Sequence, residues 1–216
     1  MAGPFGLAPN PQSSGRCYDA RMGADDAMQP APRPDTRLTY DDLVALPDDG
    51  RRHELIDGDH YVTPSPNTRH QRLVIRLAGA FTTHLAAHAD QGEAFIAPFD
   101  VLFSEFDVVE PDLLFVAADQ SDIVTAKHVR GVPALVVEIL SPGTRRVDEK
   151  IKYRLFERVG VREYWLVDPE LDLVKVYRRA ADGTLPRVAE LSAEAGHILT
   201  TPIVPGLVVA LADLFR

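Results

Sequence analysis

The pattern of apolar and polar residues predicts short strands and longer helices from about residue 36 to the C-terminus. The clearest strand is residues 134–140, where Ala-Leu-Val-Val-Glu-Ile-Leu is apolar on both faces of an extended chain, as in the central strand of a sheet. Asp57-Gly58 predicts a hairpin turn between two other strands. These other strands are predicted at residues 53–56, 60–63, 94–97, 100–103, 112–117, 163–167, 174–178, 187–191 and 197–200.

Helical spacing predicts two long helices and several shorter ones between the strands. Asn67 is a favourable N-cap residue, and apolar residues recur after it at helical spacing as far as about residue 89. A second long helix is predicted at residues 147–159 and ends at Gly160. Shorter helices are predicted at residues 39–46, 119–127 and 211–215. Because strands and helices do not alternate strictly, we expect an α/β (α+β) fold in which helices flank a mixed central sheet.

Residues 1–35 differ in composition from the rest of the chain. They contain six prolines and four glycines and no regular apolar spacing. We therefore expect a disordered or loosely packed N-terminal extension, followed by one domain at residues 36–216.

Charge and composition exclude several functional classes. The chain carries 23 Lys and Arg against 32 Asp and Glu, a net charge of −9. This balance disfavours a protein that coats nucleic acid without sequence preference, because basic residues supply most of that affinity. The single cysteine excludes an internal disulfide framework. With no membrane-length apolar run and no apolar leader, we expect a cytoplasmic protein that does not bind membranes.

Two acidic residues are candidates for chemistry. Glu138 interrupts one apolar face of the 134–140 strand, and a buried carboxylate is costly unless it is paired or bound to a metal. A structural ion pair and a functional site are both open at this position. Asp112 follows Pro111 at the entry of another predicted strand, where a capping or turn role is the alternative. If these strands are neighbours, the two carboxylates form a pair of the kind that Mg²⁺ prefers.

The segment after Glu138 is basic, although the chain as a whole is acidic. Residues 141–158 contain six Lys or Arg and three Asp or Glu. Asp148 and Lys152 are i,i+4 neighbours on the predicted helix. Because this helix directly follows the carboxylate strand, its first turns are expected over the same end of the sheet. The charged run is either a solvated helix face or part of a site beside the carboxylates.

Several short motifs, taken in order along the chain, resemble those of the Uma-two family, a bacterial family classed with restriction endonucleases. The resemblance covers about residues 38–215. The motifs are Glu54-Leu-Ile-Asp-Gly58, Ser65-Pro66, His70-Gln71, Pro111-Asp112, Val137-Glu138-Ile-Leu-Ser141-Pro142, Asp148 with Lys152, and Gly160-Val-Arg-Glu-Tyr-Trp-Leu-Val-Asp168-Pro169.

That family is similar to the PD-(D/E)XK nuclease superfamily. The resemblance implies a restriction-endonuclease-like fold, metal-dependent hydrolysis of DNA phosphodiesters and a homodimer. By position, Asp112 matches the acidic residue of the PD motif, Glu138 that of the second motif, and Glu54 an upstream residue that helps to hold metal. Leu140 stands where the superfamily has lysine, and the family places that lysine in the following helix, which points to Lys152.

The implied mechanism gives each residue a role. Glu54, Asp112 and Glu138 bind Mg²⁺ or Mn²⁺, with the carbonyl of Ile139 as a further ligand, and the metal activates a water molecule. Lys152 orients that water or stabilises charge on the phosphate. His70 and Gln71 are expected near the cleft, with hydrogen bonding at the helix end as the favoured role of His70. The alternatives are a catalytically weak or silent binding module with the same fold, and a purely structural cluster of ion pairs.

Overall fold

The computed structural model describes residues 37–216, so the extension predicted at residues 1–35 lies outside the described residues. The strands are β1 (Arg52–Ile56), β2 (Asp59–Thr63), β3 (Gly92–Ile96), β4 (Val101–Ser104), β5 (Asp107–Val109), β6 (Leu113–Ala117), β7 (Val129–Arg130), β8 (Leu135–Ile139), β9 (Glu163–Asp168), β10 (Leu173–Arg178), β11 (Arg187–Ser192), β12 (Ile198–Thr200) and β13 (Val208–Ala210). The α-helices are α1 (Tyr40–Val44), α2 (Thr68–Ala87), α3 (Tyr153–Val159) and α4 (Leu211–Phe215).

A six-stranded sheet forms the centre of the fold, in the order β11-β10-β9-β8-β6-β3. Strand β8 is parallel to β9 and antiparallel to β6, which confirms the predicted mixed sheet. Every residue of β8 is buried, as expected of a central strand. The register pairs Leu113 with Val137. Asp112, one residue before β6, therefore lies beside the C-terminal end of β8.

The central sheet is covered on both faces. One face packs against α2 and α4 through a cluster that includes Leu77, Phe81 and Trp165. The opposite face packs against α3 through a cluster that includes Phe156 and Tyr164. Successive residues of β8 contribute to these clusters in turn, as the alternation of a strand requires. Glu138 belongs to the face that α3 covers.

A second, five-stranded sheet has the order β2-β1-β5-β4-β7. Strands β1 and β2 form the predicted hairpin, and both turn residues, Asp57 and Gly58, have positive φ (56° and 77°). This is the geometry of the tight turns that favour Asp-Gly. The sequence pattern did not predict β5 or β7, which have only three and two residues.

The segment after β8 departs from the regular helix expected at residues 147–159. Val147–Lys152 form a π-helix, and only Tyr153–Val159 are α-helical. Gly160 ends α3 in the left-handed region at φ 99°, as predicted. The helix expected at residues 119–127 is instead a 3₁₀-helix at Ala118–Ile123. No helix within residues 37–216 is both long enough and apolar enough to cross a membrane.

Candidate active site

Four residues singled out from the sequence meet at one end of β8. Each is at most 3% exposed, although each is an acid or a lysine. They come from β1, from the residue before β6, from β8 and from the π-helix, and so from segments far apart along the chain. These residues are Glu54, Asp112, Glu138 and Lys152.

Lys152 is the centre of this cluster. Its Nζ lies 2.8 Å from Glu54 Oε1, 2.9 Å from Glu138 Oε1 and 3.7 Å from Asp148 Oδ1. Burial lowers the pKa of Lys152, but the three carboxylates outweigh burial and raise the pKa above its ordinary value. Lys152 is therefore a cation that these acids hold in place. Asp148 joins the cluster because it lies four residues before Lys152 on the wide turn of the π-helix.

Glu54 reaches the cluster from β1. Its Oε1 accepts a hydrogen bond of 2.8 Å from the backbone N–H of Glu110, in addition to its contact with Lys152. Its Oε2 is buried without a hydrogen-bond partner among residues 37–216. This oxygen and Asp148 Oδ1, which is also buried without a hydrogen bond in the described residues, are therefore left for a further ligand.

Asp112 is held in one orientation from three sides. Its Oδ2 accepts hydrogen bonds from the backbone N–H of Ile139 at 2.8 Å and from His70 Nε2 at 3.0 Å. Its Oδ1 accepts a hydrogen bond of 3.0 Å from Arg52 Nη1. Burial alone raises the pKa of Asp112, but the hydrogen bond to His70 and the charge of Arg52 lower it below its ordinary value. Asp112 is therefore anionic.

The cluster contains more acids than cations. Four carboxylates, those of Glu54, Asp112, Glu138 and Asp148, surround the permanent charges of Lys152 and Arg52. Burial raises the pKa of Glu138 well above its ordinary value, and the charge of Lys152 offsets only part of this. Burial likewise raises the pKa of Asp148 to about 6. A further positive charge, either a proton or a metal ion, stabilises such a site.

The contacts of His70 and Arg52 with Asp112 were not predicted from the sequence. The predicted hydrogen bonding at the helix end is made by the backbone N–H of His70, which donates to Asn67 Oδ1 at 2.9 Å. The imidazole of His70 instead contacts Asp112. Arg52 was not singled out, although the two-residue period of β1 places it on the same face as Glu54 and so carried a signal.

A small cavity lies next to this cluster. Its volume is about 10 Å³, roughly the space that one water molecule needs, and its lining includes Asp112, Glu138 and Lys152. No group of three or more His, Cys, Asp or Glu side chains within the described residues is arranged to hold a metal ion. The reason is visible in the contacts, because the ammonium of Lys152 lies between Glu54 and Glu138.

The mixed sheet, its flanking helices and the acidic residues at the strand ends define a restriction-endonuclease-like fold. The chain belongs to the Uma-two family, whose model, described as "Putative restriction endonuclease", matches residues 40–212.

Two further proteins are similar to this chain. An uncharacterized protein of Synechocystis sp., slr1290, is 29% identical over 136 residues, which cover 61% of this chain and 68% of that protein. A crystal structure from Anabaena variabilis, described as a putative nuclease belonging to DUF820, has a TM-score of 0.68 at 20% identity. It covers 82% of this chain and 97% of its own. This likeness confirms the predicted fold class.

Proposed function

We propose that this protein is a metal-dependent DNA endonuclease that hydrolyses phosphodiesters with Glu54, Asp112, Glu138 and Lys152. The observation that carries the proposal is the position of Lys152 Nζ, within 2.9 Å of both Glu54 and Glu138. An ammonium group from the helix thus stands beside the acidic residue of the second motif. The description of the family and that of the similar Anabaena variabilis structure support the same activity.

The oxygen atoms of these acids are of the donor type that suits a hard divalent cation, Mg²⁺ or Mn²⁺, and binding of the ion requires the ammonium of Lys152 to leave its position between Glu54 and Glu138. Carboxylate and carbonyl oxygens are the ligands that such ions prefer. Asp112, Glu138 and Glu54 would hold the ion, and the unpartnered Glu54 Oε2 is one available oxygen. The carbonyl of Ile139 would be a further ligand. The N–H of Ile139 points to Asp112, and the carbonyl of the same strand residue points to the same side.

Each protein group has a separate task in this proposal. When bound, the metal supplies a more acidic water molecule and polarises the scissile phosphate. Arg52 and His70 keep Asp112 ionised and oriented, which preserves a charged ligand. Lys152 supplies an ammonium that stabilises charge developing on the phosphate or orients the attacking water. Its long side chain reaches the site from the helix. Leu140, which stands where the superfamily has lysine, can therefore be an apolar core residue.

The proposal is tested by metal binding and by DNA cleavage together. Calorimetric titration with Mn²⁺ is expected to show binding to the wild type and none to an Asp112→Asn, Glu138→Gln double variant. An Asp90→Asn, Glu93→Gln double variant is the matched control, because both residues are exposed and the change in charge is the same. Nicking of supercoiled plasmid with Mg²⁺ or Mn²⁺ is expected for the wild type and the control, and is expected to be lost in Lys152→Met. Metal binding retained by the Asp112→Asn, Glu138→Gln variant would exclude this site.

A silent module is the second candidate, and one observation favours it. Lys152 already contacts both Glu54 and Glu138, so each of these acids has a cationic partner without a metal. Metal binding without cleavage of any DNA would identify a binding module that keeps the fold. The absence of metal binding at this site would identify a structural ion-pair cluster. The homodimer and the cytoplasmic location remain predictions, and sedimentation of the purified protein tests the former.

A further inference from the structure

A larger cavity opens beside the acid–lysine cluster. Its volume is about 460 Å³, and it shares Arg52, His70 and Asp112 with the small cavity of the candidate active site. Small-molecule sites usually measure about 300–1,000 Å³. The cavity therefore has room for a group the size of one nucleotide, whereas a DNA duplex is too large to enter it.

One wall of this cavity is apolar. Val74 and Ile75 of α2 contribute to it, together with Ile96 at the end of β3 and Pro98. Ile75 and Ile96 are 68% and 44% exposed, although both are large aliphatic residues. Two exposed isoleucines on the same cavity leave an apolar surface uncovered next to the candidate active site. Apolar side chains of this kind pack against the faces of nucleobases that are taken out of a helix.

The polar lining of the cavity has atoms without partners. His70 is 4% exposed, and its Nδ1 has no hydrogen-bond partner in the described part of the chain. The same holds for Glu110 Oε2, which is also buried. Both residues line the cavity. Buried polar atoms are normally hydrogen-bonded, so a rotation of either side chain toward the cavity would give its atom a partner on the polar edge of a ligand.

The cavity is also lined by two arginines, beside the three acids Asp48, Glu110 and Asp112. Arg51 is exposed and Arg52 is partly buried, and both line the cavity. Arg52 additionally contacts Asp112 through Nη1. A ligand with an apolar flat face, a polar edge and a phosphate matches these three parts of the lining. A nucleotide has all three.

We infer that this cavity holds an unpaired nucleobase of the strand whose phosphodiester lies at Asp112 and Glu138. The inference rests on the proposed nuclease function and makes it more specific. Its consequence is a preference for DNA that contains single-stranded or unpaired nucleotides over fully paired DNA. Ile75 and Ile96 contact the face of the base, His70 and Glu110 contact its edge, and Arg51 attracts the phosphate.

The inference is tested with substitutions at the edge of the cavity that reduce its free volume. Gln71 lines the cavity and is exposed on α2, so Gln71→Trp narrows the cavity without disturbing the core. Thr82→Trp is the matched control, because Thr82 is exposed on the same helix and is not part of this cavity. Binding is measured by the fluorescence anisotropy of two labelled duplexes, one fully paired and one with a single unpaired nucleotide. Ca²⁺ replaces Mg²⁺ so that binding is measured apart from cleavage. A second cavity variant, Ile75→Glu, replaces the apolar wall by a charge.

The wild type and Thr82→Trp are expected to bind the duplex with the unpaired nucleotide at least about tenfold more tightly than the fully paired duplex. This ratio corresponds to a difference of about 1.4 kcal/mol in binding free energy. Gln71→Trp and Ile75→Glu are expected to lose that preference. A 2-aminopurine at the unpaired position is expected to change its fluorescence on binding to the wild type. Equal binding of the two duplexes by the wild type, or an unchanged preference in both cavity variants, would overturn the inference.

Further outcomes separate this inference from the proposed function. Cleavage of plasmid by the wild type without preference for unpaired nucleotides would leave the nuclease function intact and overturn the base site. Preference in binding without cleavage of any DNA would support the base site and contradict the nuclease function. Free 2-aminopurine nucleoside monophosphate that binds as tightly as the oligonucleotide would show that the cavity takes a free nucleotide, and would overturn its assignment to the substrate strand.

Discussion

Replacement of Lys152 by methionine tests how the buried acids are balanced in the metal-free protein. The ammonium contacts Glu54 and Glu138 at 2.8 Å and 2.9 Å, and all three side chains are at most 4% exposed. The methionine side chain has nearly the same length but no charge, so it leaves the two carboxylates without their cation. Removing one partner of a buried ion pair costs about 3–5 kcal/mol. We therefore expect Lys152→Met to be folded but considerably less stable.

The loss is measured by urea denaturation of the metal-free protein at pH 8. For a chain of this size, a loss of 3–5 kcal/mol corresponds to a fall of about 6–20 °C in the midpoint of thermal unfolding. Lys150→Met is the control, because Lys150 is exposed two residues away on the same π-helix. Its effect is expected to stay within about 0.5 kcal/mol.

Two further measurements identify the cause of the loss. The folded-state pKa of Glu138 is raised, so its charged form destabilises the fold at high pH and protonation relieves this at low pH. The difference between the wild type and Lys152→Met is therefore expected to shrink at pH 5. Adding Glu138→Gln to Lys152→Met is expected to recover part of the stability, because one uncompensated charge is removed. A loss below about 1 kcal/mol that does not vary with pH would refute this description of the cluster.

Three further predictions follow from other parts of the structure. Asp168 is fully buried against Arg145, with oxygen–nitrogen distances of 2.6 Å and 3.1 Å, so Asp168→Asn is expected to lose about 2–4 kcal/mol at pH 7 in urea denaturation. Because the pKa of Asp168 is lowered in the fold, its contribution is fully present at neutral pH, begins to decline near the ordinary pKa of about 4 and is lost as the pH falls through the lower folded-state pKa, so an undiminished difference between wild type and variant at pH 3 would contradict it. Leu77→Ala is expected to lose about 2–5 kcal/mol because Leu77 is fully buried between α2 and the central sheet, whereas Ile75→Ala on the exposed side of the same helix is expected to change stability little. Mn²⁺ at about one hundred times its dissociation constant is expected to stabilise the wild type by about 2.7 kcal/mol in thermal denaturation and to leave Asp112→Asn unaffected, and an equal shift in both would contradict the ligand assignment.

Much of the fold was predictable because it depends on local patterns. The run at residues 134–140 is apolar on both faces, and a central strand is the only extended element that buries both. The alternation within that run assigned Glu138 to one face, where it lies next to the helix that carries Lys152. The Asp-Gly hairpin and the helix end at Gly160 were predicted from backbone conformations that few residues adopt.

Strands β5 and β7 were not predictable in this way. They have three and two residues, which is too short for an alternating pattern to be distinguished from a loop. They exist because β4 and β1 offer hydrogen-bonding partners from distant parts of the chain. The π-helix was also missed, because its six residues contain only two apolar ones, Val147 and Ile151, whose four-residue separation is equally compatible with an α-helix.

The candidate site also has a part that the sequence predicted and a part that only the folded structure decided. Strand position and the cost of a buried charge were enough to name Asp112 and Glu138 as candidates, whereas Glu54 and the role of Lys152 followed from the order of motifs that resembles the Uma-two family. Asp112 has Arg52 and His70 as its partners. These contacts could not be predicted from the sequence, because they depend on how β1 and α2 pack against the end of the central sheet. The same packing creates the cavity beside them. Contacts between elements that are distant along the chain follow from the folded arrangement, because no local pattern specifies which side chains meet across it.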